Sequence, residues 1–367
     1  MGKKIQKVLE FQNAKQLGDI TKQVNPIIYN ADIGLRKWRS ALADVQSSTE
    51  KIINVQVLHN SIGEGFGAGS SVKGWSGLLK AKLAAMFEDV GFGCIPHHLY
   101  DYYPTPLFTI GGTWVTAPGF GFNDSILYSA NPNATAGITF VGTAVDILVV
   151  KGNIQGKFNA SIDGGAAVEY DTFHDGEIFL SAISITGLSA GSHTLAITKV
   201  DDAAYLFLCG ICPKKGTRGV RVNLVGGNGG TSWNVSTTAK VMFAEIDYWG
   251  PALTIIEAFT NDVANLTPTA YKGYMQTLIS RAKAFGDVLL FPTGMREELY
   301  EHQQSEYFDA LKELCITNNV CMVDAFNYWG ASFTTANSVL TVLDDNVHPN
   351  AKGHQDLFNL LSKALFQ

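Results

Sequence analysis

The chain has 367 residues, 46% hydrophobic and 16% charged, with a formal net charge of −6. Such a composition excludes an intrinsically disordered chain, and the acidic balance without Lys/Arg runs excludes an electrostatic footprint for nucleic acid or a polybasic membrane patch. The length calls for two to three domains rather than one small core.

No stretch approaches 18 uninterrupted apolar residues, so no membrane span is expected. The N-terminus, MGKKIQKVLEFQNAKQLGDI, lacks both the apolar core and the cleavage site of a secretory signal. It also lacks the Ser or Thr of a myristoylation motif. Synthesis in a cytoplasm is therefore expected, with virion association as one destination.

In chain order, residues 1–50 form an N-terminal helical segment, in which NADIGLRKWRSALADVQ reads as one amphipathic helix. KIINVQVL (51–58) is a continuous apolar strand of the kind buried in a parallel sheet. A glycine-rich turn, HNSIGEGFGAGS, and a helix, GWSGLLKAKLAAMFEDV, follow it. From about 105 to 215 the pattern changes to short alternating strands, among them ITFVGTAVDILVV, HTLAITKV and AYLFLCGI, punctuated by hairpin residues. This span reads as an antiparallel β-sandwich inserted into an α/β domain. From 216 to 367 strands and helices alternate again: GVRVNLVGG, TAKVMFAEID, LTIIEAFTND, AYKGYMQTLISRAKAF, DVLLFPTG, SEYFDALKELCITNN, VCMVDAF and GHQDLFNLLSKALF. That rhythm predicts a mostly parallel sheet covered on both faces.

The five cysteines lie at 94, 209, 212, 315 and 321. Cys209 and Cys212 form a lone CxxC within AYLFLCGICP. No second pair stands at metal spacing, so reduced core thiols on a strand are expected over a redox or zinc site.

Reactive groups of α/β sheets sit where strands end and helices begin. After the first strand comes His59-Asn60-Ser61-Ile62-Gly63-Glu64-Gly65, which places a hydroxyl at a helix N-terminus. After VRVNLV comes Gly226-Gly227-Asn228-Gly229-Gly230, where backbone can approach a ligand closely. After LTIIEAF comes Thr260-Asn261-Asp262. Before the last helix comes Asp344-Asp345-Asn346-Val347-His348-Pro349. Together these supply a hydroxyl nucleophile, an imidazole, an orienting carboxylate and neutral donors for an oxyanion, the components of an acyl-transfer site.

These four blocks, in this order, resemble the SGNH (GDSL-type) hydrolases. VQVLHNSIGEG is similar to that family's Gly-Asp-Ser block, NLVGGNGGTS to its glycine block, FTND to its Gly-x-Asn-Asp block and DNVHPNAKGH to its Asp-x-x-His block. The resemblance covers about 51–100 and 216–367. It implies a flavodoxin-like three-layer α/β/α core and hydrolysis of esters, often acetyl esters on carbohydrates. It makes Ser61, Asp345 and His348 the triad. The oxyanion hole would be Ser61, Gly229 and Asn261, with Gly227 and Gly230 as alternatives to Gly229. Asp344 competes with Asp345, but the three-residue spacing to His348 favours the latter; His354, in the closing helix, reads as structural. The chain departs from the pattern at His59 and Asn60, which replace the family's Gly-Asp, and at Phe259. Asn60 keeps a carbonyl acceptor for the turn but loses a charge. His59 is either a second titrating group or a packing residue.

The expected organisation is an N-terminal helical segment (1–50), a first stretch of hydrolase core (51–104), an inserted sandwich resembling carbohydrate-binding jelly rolls (105–215) and the remainder of the core (216–367). The insert is either a glycan-contacting module or a scaffold. Tyr100, Tyr102, Tyr103 and Trp114 are candidates to stack on sugar or to fill a core. The leading expectation is a carbohydrate O-acetylesterase with an acylated carbohydrate as partner, no cofactor and no metal. The same triad would also serve a lipase, although no long apolar lid segment is evident. The rival is a non-catalytic glycan-binding or phage virion structural protein on the same fold. Substrate-binding residues and oligomeric state stay open.

Overall fold

The computed structural model describes residues 27–91, 93–96, 108–118, 125–200, 204–227, 229–238, 240–258, 260–297 and 302–367. Residues 1–26 of the expected N-terminal segment, Tyr100, Tyr102, Tyr103, Asn228 and Phe259 lie outside them.

Sixteen strands run in chain order among the described residues. Six build the main sheet: β1 (Ile28–Tyr29), β2 (Lys51–His59), β13 (Arg218–Gly226), β14 (Leu253–Ala258), β15 (Asp287–Pro292) and β16 (Cys321–Val323), in the order β1-β16-β15-β14-β2-β13. All of its pairings are parallel except that of β1 with β16. The central strands are apolar because both faces are covered. On one face Phe291 meets Trp75 edge-on, and the helices Arg36–Ser47, Trp75–Met86 and Ala351–Phe366 pack there. On the other, Leu58 and Ile256 approach Met275 and Leu278 of the helix Pro268–Lys283, which packs on the helix Gln304–Asn318. The chain is thus a mixed α/β protein whose parallel sheet carries helices on both faces.

The amphipathic helix expected across 30–46 is interrupted. It breaks at Leu35 (φ −127°) into Ala31–Gly34 and Arg36–Ser47. A Cβ on Gly34 would stand 2.4 Å from Cys321 N, so the first piece lies against β16 backbone, where only glycine fits. The second piece is fixed by Trp38, fully buried, whose indole donates to Leu365 O at 3.1 Å and whose N–H donates to Asp287 Oδ2 at 2.9 Å.

Between β2 and β13 lie ten strands: β3 (Phe108–Gly111), β4 (Val115–Pro118), β5 (Ser125–Ser129), β6 (Thr135–Gly142), β7 (Ala144–Lys151), β8 (Lys157–Ile162), β9 (Val168–Asp171), β10 (Ile178–Ile185), β11 (Gly191–Lys199) and β12 (Leu206–Lys214). They form two five-stranded antiparallel sheets, β10-β7-β12-β5-β4 and β3-β6-β11-β8-β9. Ile138, Phe140, Phe158 and Leu195 of the second sheet share a core with Ile147, Leu208 and Ile211 of the first. β6 and β11 alternate buried with exposed positions, as half-covered strands do.

By contrast β7 and β12 are buried almost throughout. Their second face, with Leu148, Val150, Cys209 and Cys212, joins the core of the α/β region. That double burial explains the unbroken run AYLFLCGICP. It also buries Cys209 and Cys212 as unpaired thiols on β12, whose pKa values burial pushes up. The junction is braced by buried Asp146, which takes a hydrogen bond from Tyr248 Oη at 3.0 Å, another from Ser184 Oγ at 2.6 Å and an ion pair from Lys214 at 2.6 Å. Trp114 is half-buried and packs against the two-sheet core, its indole N–H shared between Gly111 O and Thr135 O. No described helix is long and apolar enough to cross a membrane.

Candidate active site

β2, β13 and β14 end side by side, and each delivers one of the loops singled out in the sequence. After β2 the chain turns directly into the short helix Ser61–Glu64. Asn60 caps it, its Oδ1 accepting from Ile62 N at 2.9 Å, so the amide that replaces the family's Asp still holds the turn. Ser61 is 3% exposed.

Ser61 Oγ lies 2.9 Å from His348 Nε2, and His348 Nδ1 lies 2.8 Å from Asp345 Oδ2. An ionised carboxylate only accepts, so Nδ1 carries the imidazole proton and Nε2 presents its lone pair to the hydroxyl. The carboxylate's other oxygen accepts from Val347 N at 2.7 Å and His348 N at 2.6 Å. Burial would raise the pKa of Asp345, but these hydrogen bonds with His348 and Val347 outweigh it and hold the carboxyl below its usual range. Asp344 enters the same loop through its backbone, its N–H donating to His348 O at 2.7 Å. Asn350 closes the loop by donating to Thr341 O and Leu343 O and capping the helix Ala351–Phe366 at Gly353 N. The ring of Phe66 packs against His348, centroids 5.3 Å apart.

On the neighbouring strand ends, Asn261 Nδ2 donates to Gly230 O at 3.1 Å, and Arg296 Nη1 donates to Asn261 Oδ1 at 3.3 Å. A guanidinium offers only donors, so Arg296 fixes which way the amide faces. The glycine loop is tied to the same segment by Asp262 Oδ1, which accepts from Ser232 N at 2.8 Å and Ser232 Oγ at 2.6 Å. Gly229 adopts φ +77°, and a Cβ there would meet nothing within 4 Å. Gly227 N donates to His59 O and Gly230 N to Gly227 O.

The two further histidines are packing residues. His59 is buried with Nδ1 2.9 Å from Asn60 O, and burial lowers its pKa to about 4. His354, fully buried, accepts from Trp75 N at Nδ1 and donates from Nε2 to Phe66 O at 2.7 Å; burial lowers it, too, to about 4. As expected of a structural group, it ties the closing helix to the loop beneath His348.

Sequence reasoning missed Glu257, on β14. Its Oε2 accepts from Asn60 N at 3.1 Å and Gly63 N at 2.7 Å; its Oε1 accepts from Trp75 Nε1 at 3.1 Å and Thr293 Oγ1 at 2.6 Å. Burial raises the pKa to about 7, with the four hydrogen bonds working against it. A lone acid in the otherwise apolar strand LTIIEA was the available signal, because a charge is buried only where partners satisfy it. Among the described residues no group of three or more His, Cys, Asp or Glu side chains is placed to hold a metal.

A hydroxyl, an imidazole and a carboxylate in series at the end of a parallel sheet is the arrangement of the serine hydrolases. Residues 116–361 match the GDSL-like lipase/acylhydrolase family model, and the chain belongs to that family, as a GDSL-type serine hydrolase acting on carboxylic esters. The match takes in Asn261, Asp345 and His348; Ser61 lies outside it and joins them through the fold. A solved structure described as a peptidoglycan O-acetylesterase in action shares the fold, with a TM-score of 0.71, 12% identity, and coverage of 93% of this chain and 98% of that one. A carbohydrate esterase family 2 enzyme plus carbohydrate-binding domain from Myceliophthora fergusii aligns over 69% of this chain and 98% of its own, at 15% identity and a TM-score of 0.32. No curated protein matches the sequence.

Proposed function

We propose that the protein removes O-acetyl groups from a carbohydrate through Ser61, His348 and Asp345. The observation that carries this reading is the unbroken relay Asp345–His348–Ser61, 2.8 and 2.9 Å. Ser61 Oγ attacks the acetyl carbon while its proton passes to His348 Nε2, and Asp345 stabilises the imidazolium that forms. The oxyanion is received by Ser61 N, Gly229 N and the Asn261 amide. Gly229 is favoured over its neighbours because the N–H groups of Gly227 and Gly230 already serve the turn. His348 returns the proton to the departing sugar oxygen, and water then releases acetate from Ser61 by the reverse sequence.

Two features support a carbohydrate as the acetyl carrier. The fold is shared over 93% of the chain with a protein described as a peptidoglycan O-acetylesterase. A cleft of about 760 Å³ is also lined by Arg296, which donates to Asn261, and by polar groups such as Gln304, Asn327 and Asn337 with Phe333. We read residues 105–215 as an inserted β-sandwich braced to the core at Asp146, and the segments on either side of it, with β1 and the helix Arg36–Ser47, as together forming the hydrolase core.

The test is acetate release from a panel of O-acetylated glycans, with p-nitrophenyl acetate as a minimal substrate. Wild-type protein turns over both, and Ser61→Ala, folded by circular dichroism, turns over neither. Wild-type rates in Ser61→Ala sink the triad. A wild-type protein that binds glycan without releasing acetate supports the non-catalytic rival.

A further inference from the structure

We propose that Glu257 is a positioning residue for the nucleophile: one buried carboxylate holds the backbone on both sides of Ser61 and sets it against the oxyanion amide. The inference rests on Ser61 being the nucleophile. The N–H groups that Glu257 Oε2 accepts belong to Asn60, immediately before Ser61, and Gly63, two residues after it. Two anchors on one oxygen leave the intervening residue little freedom to rotate or slide.

The opposite oxygen reaches two further elements. Trp75 Nε1 comes from the first residue of the helix Trp75–Met86, and Thr293 Oγ1 from just beyond β15. The turn is therefore located relative to three neighbours rather than to β2 alone. Glu257 itself stands on β14, four residues before Asn261, which precedes the helix Asp262–Asn265 beyond the strand's end. The acid that holds the turn and the amide proposed for the oxyanion thus come from one strand-to-loop segment, Asn261 lying three residues past the end of β14.

Local packing shows a space built for this group. A Cβ on Gly63 would stand 2.5 Å from Glu257 Oε2 and 2.5 Å from His59 Cβ, so the carboxylate occupies room that only glycine leaves. The indole of Trp75 is fully buried and aims its one donor at the acid. Asn60, at the position where the family carries an Asp, has no charge; the carboxyl that accepts from this turn's backbone N–H groups is that of Glu257. An acceptor that takes four hydrogen bonds at once is poorly replaced by an amide, which has one acceptor oxygen and turns an N–H toward at least one pair of donors.

Positioning is separable from mere support by where the loss appears. Misplacing a reacting group by 1 Å can cost about 10²-fold in rate. In Glu257→Gln, kcat for p-nitrophenyl acetate should fall at least tenfold with KM within threefold of wild type, and labelling of Ser61 by a fluorophosphonate should slow in parallel. A structural role alone would lower the melting temperature and leave kcat per folded molecule within twofold, which overturns the proposal. Should Glu257→Gln fail to fold, Thr293→Val removes one donor from the same carboxylate without touching the turn. It should lower kcat roughly three- to tenfold, and an unchanged kcat there overturns the proposal equally. Ser61→Ala is assayed alongside. If it retains wild-type turnover, the nucleophile assignment fails and this inference with it. If it is inactive while Glu257→Gln matches wild type, the inference alone fails.

Discussion

Gly67 offers a sharp test of whether the loop bearing His348 must be held against the nucleophile turn. It adopts φ +82°, and a Cβ there would stand 2.0 Å from Pro349 O and 3.2 Å from His348 Cβ. Real Cβ contacts do not fall under 3.0 Å, so in Gly67→Ala the two segments must separate by about 1 Å. The contact atoms are backbone, and the loop they belong to carries the imidazole, so the displacement is delivered to the Ser61–His348 hydrogen bond. A 1 Å error at a reacting group costs about 10²-fold in kcat. The left-handed backbone adds a separate cost, about 1–2 kcal/mol of stability. Gly69 isolates that second term: it has φ +78° but nothing within 4 Å of its would-be Cβ. Gly69→Ala should therefore lose similar stability and keep its activity. The assay is kcat and KM on p-nitrophenyl acetate beside urea unfolding for both variants. A kcat for Gly67→Ala within threefold of that for Gly69→Ala would refute the reasoning.

Two more expectations follow from the site. Asn261→Ala should lower kcat by roughly 10²–10³ with little change in KM, since an oxyanion donor acts mainly on the transition state; a loss confined to KM would make Asn261 a substrate-binding residue instead. The second concerns pH. Because burial depresses His354 from its usual 6.5 to about 4, the unfolded chain binds a proton that the folded chain refuses, so its contribution is lost as pH falls from 6.5 toward 4. Asp345, also depressed, acts in the same direction at lower pH, whereas the raised carboxyl of Glu257 acts oppositely, its contribution lost as pH rises toward 7. Replacing His354 by Gln should remove about 2–3 kcal/mol from the drop in unfolding free energy between pH 7 and 4.5. Equal drops in both proteins, measured by urea titration at each pH, would exclude His354 as a source of acid lability.

Much of this protein was legible in its sequence because local patterning decides much. The apolar run KIINVQVL reads as a buried strand and forms β2, and the alternating pattern read from about 105 onward carries antiparallel strands in the described residues from Phe108. Ser61 and Asn261 stood out as candidates because they lie just past the ends of β2 and β14, whereas the Asp345–His348 loop instead precedes the helix Ala351–Phe366. Asp345 and His348 meet within one loop, so their three-residue spacing already carried their geometry.

What tertiary structure alone decided are the contacts between segments far apart in the chain. The approach of Ser61 to His348 spans 287 residues, and no local signal sets it. Glu257 looked like an isolated acid in a strand; only the packing of β14 beside β2 turns it into the acceptor for the nucleophile turn. The break at Leu35 likewise escapes the 3.6-residue period, because its cause is the backbone of β16 pressed against Gly34. Propensity and periodicity act over a few residues, whereas close approach and hydrogen-bond supply depend on which strand lies next to which.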